Sequence, residues 1–321
     1  MLPNVSPSEA DHVPVLAEQV RELLAVRPGE TVVDGTFGAG GHARLLAQDL
    51  SGSGKLVAID RDPAAKWYFD RFKAGASSQA GVEVRFLRGD FSIVLAQLAA
   101  NEVGADAILL DLGISSMQID RPERGFTYAT DVPLDMRMDP SSEPTAAEIV
   151  NTWDERELVT IFRRYGEERY AGPIARAIGR RRAEMPFART GALVDTIKLA
   201  IPTPARFGEG HPAKRVFQAL RIAVNDELAA LEAALPAALT MLRPGGRLAV
   251  ISFHSLEDRI VKRFLKERAR GCTCPPEFPV CVCGKRPEVR ILTSRPLRPA
   301  AAETARNLRA SSARLRVAVK I

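Results

Sequence analysis

Short apolar runs alternate with amphipathic stretches along the first third of the chain. The runs end at Asp34, Asp60, Leu87 and Asp111, and a helical pattern follows each of the first three. Short apolar runs bounded by turn residues predict strands, whereas apolar positions three and four residues apart predict helices. The run at 107–110 is wholly apolar, which is typical of a parallel strand buried on both faces. The alternation therefore predicts an α/β fold with a doubly wound parallel sheet.

The strand pattern stops between about residues 116 and 213, and helix-start signals replace it. Thr145 and Glu148 have the spacing of a capping box, and Asp154 precedes a further helical run. The α/β pattern returns with a helix expected over 212–235, which Pro236 ends or kinks, and with later strands near 248–252, 289–292 and 315–319. We therefore expect a discontinuous α/β domain, residues 1–117 and 216–321, interrupted by an all-helical insertion at 118–215.

Four glycines lie within seven residues in the turn after the first strand, at positions 35, 38, 40 and 41. Glycines at the carboxyl end of a strand let a ligand approach the backbone closely. An ordinary strand–helix turn rarely needs four of them, so the turn predicts a site for a nucleotide-type cofactor. Gly38, Gly40 and Ala43 fit the dinucleotide fingerprint only loosely, and the turn alone leaves the cofactor open.

An acidic residue ends the second strand, and another follows the end of the third strand. In nucleotide-binding βαβ units, an acid in the place of Asp60 accepts hydrogen bonds from the ribose hydroxyls. The alternative role for Asp60 is a helix cap, which Asp62 can provide by itself. Asp90 and Phe91 follow the third strand, where they could receive an adenine. Asp90 could equally cap the following helix.

The net charge of +6 is unevenly distributed. Residues 169–189 hold six arginines against one glutamate, and residues 286–321 hold nine Arg and Lys against two Glu. Such clusters suit phosphate binding, although a solvated surface explains either cluster equally well. No apolar run approaches the length of a membrane span, and residues 1–11 do not resemble a signal peptide, so we expect a cytoplasmic protein.

The four cysteines form two Cys-x-Cys pairs, Cys272 with Cys274 and Cys281 with Cys283. In a cytoplasmic chain, paired cysteines favour a metal over disulfides, and four thiolates can hold one Zn²⁺ tetrahedrally. Because Cys-x-Cys is less diagnostic than Cys-x-x-Cys, we assign no metal from the sequence and keep these cysteines as a zinc candidate.

Together these segments resemble the class I methyltransferases, which use S-adenosyl-L-methionine (SAM). The Gly-rich turn, the acid Asp60 and the Pro-Gly-Gly turn within 242–247 are typical of that class. Further segments resemble one family within the class, the RsmH (MraW) family. They span nearly the whole chain and lie at residues 12–16, 33–42, 111–116, 133–139, 217–222 and 252–259.

The resemblance implies a Rossmann-like class I SAM methyltransferase sheet whose inserted all-helical domain recognises RNA. It implies methyl transfer from SAM to the exocyclic N4 of a cytidine in the decoding centre of bacterial 16S rRNA (position 1402 in standard rRNA numbering). The partner would be the small ribosomal subunit, with no membrane involved, and a homodimer is one of the oligomeric states that the sequence leaves open. Carried onto matching positions, the resemblance places SAM against Gly40, Gly41, His42, Asp60, Phe91, Asp111 and Gln118.

Methyl transfer to an amine requires an oriented acceptor and removal of its proton. Asp111 is either a contact for the methionine part of SAM or the proton acceptor, and His254 could orient the base or accept the proton. The structural alternative for the His254 region is a helix cap formed by Ser255 and Asp258. No aromatic residue follows Asp111 to stack on the target base, and the candidates for that role elsewhere are Phe126, Tyr128 and Phe253.

Two other functional classes compete with this interpretation. An NAD-dependent oxidoreductase would share the Gly-rich turn, but the Pro-Gly-Gly turn at 244–246 argues against it. A non-enzymatic rRNA-binding assembly factor would retain only a vestigial pocket, and the intact Gly40, Gly41, Asp60 and Asp111 argue against that decay.

Overall fold

The computed structural model describes residues 14–76, 81–207, 210–272, 274, 280 and 282–321. The chain divides into two compact units. Unit 1 consists of residues 1–60, 64–112 and 233–321, and unit 2 of residues 61–63 and 113–232. Unit 2 contains the whole of the expected insertion and extends beyond it at both ends. The polar segment 1–11 and the start of the motif at 12–16 lie outside the described residues.

Seven strands form the sheet of unit 1: β1 (Thr31–Asp34), β2 (Gly54–Asp60), β3 (Val82–Arg88), β4 (Ala105–Asp111), β5 (Leu242–Ser252), β6 (Val289–Ile291) and β7 (Arg314–Lys320). Their order is β3-β2-β1-β4-β5-β7-β6. The pairs from β3 to β5 are parallel, and β7 is antiparallel to both of its neighbours. The chain order reverses at β1, which lies between β2 and β4. In open α/β sheets, ligands bind at the carboxyl ends of the strands at such a switch point.

Fourteen α-helices occur in the described residues: α1 (Ala17–Leu24), α2 (Gly41–Asp49), α3 (Ala65–Ala76), α4 (Phe91–Ala100), α5 (Ser116–Ile119), α6 (Ala146–Thr152), α7 (Glu155–Arg164), α8 (Ala171–Glu184), α9 (Thr190–Ala200), α10 (Thr203–Arg206), α11 (Lys214–Asn225), α12 (Glu227–Met241), α13 (Ser255–Ala269) and α14 (Ala301–Arg306). Both predicted helix starts in the insertion are confirmed. Thr145 and Asp154 each accept the N–H three residues ahead, and the glutamates there complete two capping boxes.

The single helix expected over 212–235 is two helices, α11 and α12. Asp226 adopts a left-handed backbone conformation (φ 50°) and ends α11, and its N–H donates to Ile222 O. Arg221 and Glu227 form an ion pair across this break (2.7 Å). Pro236 lies inside α12, so of the two predicted effects, an end or a kink, the end is wrong. A left-handed residue ends a helix by turning the chain away from its axis, whereas an interior proline removes one N–H donor and crowds the carbonyl four residues back.

Unit 2 is helical, and in its described part β-pairing is limited to one isolated bridge between Pro133 and Arg189. Amphipathic helices bury their apolar faces against one another in its core. Fully buried members of that core include Leu158, Phe162, Ile174, Leu193 and Leu220.

The loop between α5 and α6 in unit 2 is held by buried polar side chains. Arg124 donates to Asp62 Oδ2 (2.9 Å) and to the carbonyls of Arg137 and Met138. The side chain of Asn225 accepts the Met138 N–H (2.7 Å) and donates to a further loop carbonyl. Buried hydrogen-bonded groups of this kind specify one backbone path, because any other path would leave them unpaired. The motif at 133–139 therefore has a structural role within unit 2.

None of the helices in the described ranges has both the length and the apolar composition that a bilayer crossing requires.

Candidate active site

The Gly-rich turn between β1 and α2 is hydrogen-bonded to the ends of both neighbouring strands. The N–H of Gly38 donates to Asp60 Oδ2 at the end of β2 (2.7 Å). The N–H of Asp111, at the end of β4, donates to Thr36 Oγ1 (2.6 Å). Gly35 donates to Leu109 O (2.9 Å). One turn thus brings Asp60 and Asp111 to the switch point of the sheet.

Glycine is required at position 40 by both conformation and space. Gly40 has φ +78°, and a Cβ there would lie 2.7 Å from Cζ of Phe37. The Phe37 ring packs edge-on against Phe69 (5.7 Å between centroids) in an aromatic cluster of unit 1. Gly40 is also the N-cap of α2 and has no side chain to accept the first N–H groups of that helix. Gly41 and His42, the first residues of α2, therefore begin a helix whose N-terminus is open to a ligand.

Two carboxyl groups at this edge of the sheet have raised pKa values: Asp34, which is buried, and Asp111, whose side chain is 27% exposed. Burial raises the pKa of Asp34 to about 7. The hydrogen bond from the Thr36 N–H lowers this pKa in part, and the nearby charge of Asp60 raises it further. Burial raises the pKa of Asp111 to about 8, with further contributions from the charges of Asp34 and Glu257. Raised pKa values of carboxyl groups at the end of a sheet mark a candidate functional site.

His42 is buried beside Asp111. Its Nε2 lies 3.7 Å from Asp111 Oδ2, and burial lowers the pKa of the imidazole to about 4, so the ring is neutral at physiological pH. Neither this Nε2 nor Asp111 Oδ1 has a hydrogen-bond partner in the described part of the chain. Buried polar atoms are normally paired, so these two atoms mark where a polar ligand fits. SAM carries a sulfonium and an ammonium group, which match an unpaired carboxylate.

Asp90 is the N-cap of α4, where its side chain accepts the N–H of Ser92 (2.8 Å). The capping alternative is therefore confirmed, and an adenine contact by Asp90 stays a prediction. Phe91 is the first residue of α4 and lies beside the Gly-rich turn, since a Cβ on Gly35 would be 3.8 Å from Phe91 Cβ. A contact between the Phe91 ring and a bound adenine stays a prediction.

Gln118 lies in unit 2, and its side chain is engaged there. Its Nε2 donates to Asp62 Oδ2 (3.0 Å), and its Oε1 accepts the N–H of Ser115 (3.0 Å). Asp62 is completely buried, and its carboxylate also accepts from Arg124. The helix cap that the sequence suggested for Asp62 stays a prediction. A SAM contact by Gln118 stays a prediction.

His254 is the N-cap of α13. Its Nδ1 accepts the N–H of Glu257 (3.4 Å), and Glu257 Oε2 accepts the N–H of His254 (3.2 Å). Asp258 pairs instead with arginines of β7. The Ser255–Asp258 cap is therefore wrong by one residue, because Glu257 is the acid that reaches the open N–H groups. A catalytic role for His254 stays a prediction.

Two contributors to the site escaped the sequence analysis. Thr36 fixes the backbone of Asp111 through its hydroxyl, and its only sequence signal is a hydroxyl residue inside the glycine turn. Glu257 is buried, and its charge helps to raise the pKa of Asp111. Its sequence signal is its position in the motif at 252–259, three residues after His254.

Among the aromatic candidates for base stacking, Tyr128 already has a ring partner. It stacks on His211 with 4.6 Å between centroids and an interplanar angle of 11°, and it contacts Phe217 edge-on. Phe126 packs against the core of unit 2, and Phe253 is partly buried in unit 1. The choice among these three rings stays open.

The sheet order, the antiparallel β7 and the glycine turn with acids at the ends of β2 and β4 define a class I SAM-dependent methyltransferase. Residues 9–321 match the MraW methylase family. The chain therefore belongs to the MraW methylase family, as the resemblance predicted, and SAM is its methyl donor. Membership in this family argues against the NAD-dependent oxidoreductase.

Named relatives cover almost the whole chain. Ribosomal RNA small subunit methyltransferase H of Heliobacterium modesticaldum is 55% identical over 97% of this chain and 98% of its own length. The protein of the same name from Heliobacterium mobile is 50% identical over 98% of this chain and 100% of its length. The one from Geobacter sulfurreducens is 51% identical over 97% of this chain and 99% of its length.

Proposed function

We propose that this protein transfers the methyl group of SAM to the exocyclic N4 of a cytidine in the decoding centre of 16S rRNA, position 1402. The observation that supports a ribosomal substrate is the full-length similarity to relatives named ribosomal RNA small subunit methyltransferase H. Such a substrate would place the protein in the cytoplasm.

The described residues divide the work between binding and proton handling. Asp60 accepts the ribose hydroxyls of SAM, Phe91 packs on its adenine, and the N-terminus of α2 at Gly41 lies against it. SAM supplies an activated methyl group on a sulfonium. Asp111 either holds the ammonium of SAM or takes the proton from the attacking amine. Its raised pKa of about 8 suits both roles, because a neighbouring cation favours its charged form and a basic carboxylate accepts protons well.

The placement of the cysteines supports an amine as the acceptor. Methylation of a cytosine ring carbon requires an attacking thiol at the active site. The four cysteines of the chain all lie between positions 272 and 283, beyond the end of α13, and none belongs to the strand ends that form the site. An exocyclic amine needs no thiol, only an oriented lone pair and a proton acceptor.

The reaction can be tested by incubating the protein and SAM with unmethylated small ribosomal subunits and, in parallel, with naked 16S rRNA. Mass spectrometry of digested nucleosides is expected to show N4-methylcytidine only where protein is present. The better substrate of the two shows at which stage of assembly the protein acts. SAM binding without methylcytidine on either RNA would contradict the proposed substrate and favour the assembly-factor alternative.

Some arginines of the two predicted basic clusters, at 169–189 and 286–321, have hydrogen-bond partners within the protein. Arg182 donates to the carbonyls of Val150 and Trp153, and Arg316 pairs with Asp258 (2.6 Å). These arginines hold the fold together, so assigning both whole clusters to RNA overestimates the binding surface. Two arginines of α8, one helical turn apart, remain exposed: Arg176 and Arg180.

Replacing Arg176 and Arg180 with glutamine is expected to weaken rRNA binding uniformly across sequences. Each lost phosphate contact should reduce the slope of log affinity against log salt by about 0.7–0.9. Filter binding between low and physiological salt measures this slope. Arg85→Gln, an exposed arginine of β3, is the matched control and should leave it unchanged. An unaltered slope in the double variant would remove α8 from the RNA-binding surface.

A further inference from the structure

Three thiols converge after α13. The Sγ atoms of Cys272, Cys274 and Cys283 all lie within 4.8 Å of one another. Cys283 Sγ lies 3.7 Å from Cys272 Sγ. The chain contains only four cysteines, so most of its thiols meet at this one point.

The spacing of the sulfur atoms fits a single tetrahedral metal ion. With Zn–S bonds of about 2.3 Å, two thiolates on one tetrahedral Zn²⁺ lie about 3.8 Å apart. The 3.7 Å between Cys283 and Cys272 corresponds to one edge of that tetrahedron. Thiolates on different irons of a cluster would be further apart, and thiolate ligands exclude hard ions such as Mg²⁺ and Ca²⁺.

Backbone N–H groups already point at two of the sulfurs. The N–H of Cys274 donates to Cys272 Sγ (3.4 Å), and the N–H of Val282 donates to Cys274 Sγ (3.3 Å). Such outer contacts orient metal ligands and stabilise negative charge on thiolate sulfur. Basic residues at positions 270, 285 and 286 flank the cluster in sequence and offset the charge of several thiolates.

The chain just before the cysteines contacts the chain just after them. The N–H of Glu288 donates to Arg268 O (2.8 Å), and the two side chains form an ion pair (2.9 Å). Between these two residues in the chain, Val280 and Val282 are 70% and 73% exposed, so the described apolar side chains there do not pack into a core. A loop without a core needs a covalent or metal crosslink to hold one conformation.

We propose that Cys272, Cys274 and Cys283 bind one Zn²⁺, and that the ion crosslinks the first two of these residues to the third. Cys281 lies outside the described residues, and the proposed site consists of the other three thiols. Binding forms three Zn–S bonds and releases three thiol protons to solvent, with no change in oxidation state. The ion is structural, because it crosslinks the chain and takes no part in methyl transfer.

The test measures metal content in full-length protein that is purified under reducing conditions with zinc in the medium. Mass spectrometry of the metals is expected to find one zinc per chain. Replacement by Co²⁺ should give the thiolate-to-cobalt charge-transfer absorption and the visible bands of tetrahedral cobalt. Cys272→Ser, Cys274→Ser and Cys283→Ser should each lose most of the zinc, whereas the control Arg290→Ser, at an exposed arginine of β6, should keep it.

A second measurement covers variants that fold poorly. Removing zinc from the wild-type protein with a chelator should make the thiols of Cys272, Cys274 and Cys283 reactive towards a thiol reagent. It should also speed proteolytic cleavage within 270–287 by about tenfold or more, while SAM binding is retained. Substoichiometric zinc in the wild type, zinc retained in the Cys→Ser variants, or disulfide pairs in protein trapped directly from cells would each overturn the proposal.

Discussion

Replacing Asp60 with asparagine is expected to weaken SAM binding by about 10- to 100-fold, the equivalent of one charge-assisted hydrogen bond of about 1.5–3 kcal/mol. Asp60 Oδ2 accepts the N–H of Gly38 at 2.7 Å, and the amide oxygen of asparagine can keep that bond. The substitution therefore removes the charge and one acceptor for the ribose and leaves the turn in place. Calorimetric titration with SAM measures the change, and thermal unfolding should show little loss of stability.

Asp60→Ala is the comparison that separates binding from folding. Alanine leaves the Gly38 N–H unpaired, at a cost of about 1–3 kcal/mol in stability, in addition to the loss of affinity. An Asp60→Asn protein that binds SAM as tightly as the wild type would show that Asp60 serves only the turn. A bulky residue at Gly40 is a poorer test, because its φ of +78° and the nearby Phe37 ring would disturb the backbone whether or not SAM binds there.

Asp111→Asn is expected to reduce the pH dependence of SAM binding and to leave only the part that Asp34, with a pKa of about 7, contributes. Burial raises the pKa of Asp111 to about 8 in the protein without ligand, and a cationic ligand favours the ionised form. Binding therefore expels a proton below pH 8, and the affinity of the wild type should rise by up to about tenfold per pH unit towards pH 8 and then level off. Titrations between pH 6 and 9, in buffers of different ionisation enthalpy, count the released protons.

The same substitution should act on stability in the opposite sense. A carboxyl group whose pKa is raised on folding contributes its stability below its unfolded pKa of about 3.8, and this is lost as the pH rises towards 8. Without SAM, Asp111→Asn should therefore unfold a few degrees higher than the wild type at pH 8, and the two proteins should converge near pH 4. Superimposable unfolding temperatures at every pH would mean that another group carries the charge.

Kinetics of Asp111→Asn distinguish its two proposed roles. If Asp111 holds the ammonium of SAM, the KM for SAM rises and kcat at saturation changes little. If it accepts the proton of the amine, kcat falls while the affinity for SAM is kept. If neither the KM for SAM nor kcat changes, Asp111 takes no part in the reaction, and His254 becomes the candidate proton acceptor.

Local sequence patterns predicted what is decided locally. Apolar runs and turn glycines predicted the strands around the cofactor site, and the capping signals at Thr145 and Asp154 predicted helix starts, because strand burial and helix capping involve residues near one another in the chain. The same local logic placed the cap of α13 one residue late. His254 and Ser255 both precede plausible acids, and only the three-dimensional path of the chain shows that Asp258 is held by β7.

Contacts between distant residues decided the rest. The roles of Arg182, Arg316 and Asp62 depend on partners far away in sequence, and no local pattern announces such partners. The raised pKa of Asp111 requires burial together with the charges of Asp34 and Glu257, which only the sheet brings close. The sequence by itself determined the family, the fold class and the cofactor, because these follow from short motifs. The tertiary structure decided which polar residues hold the fold and which remain available to a ligand, because burial and pairing are properties of the packed chain.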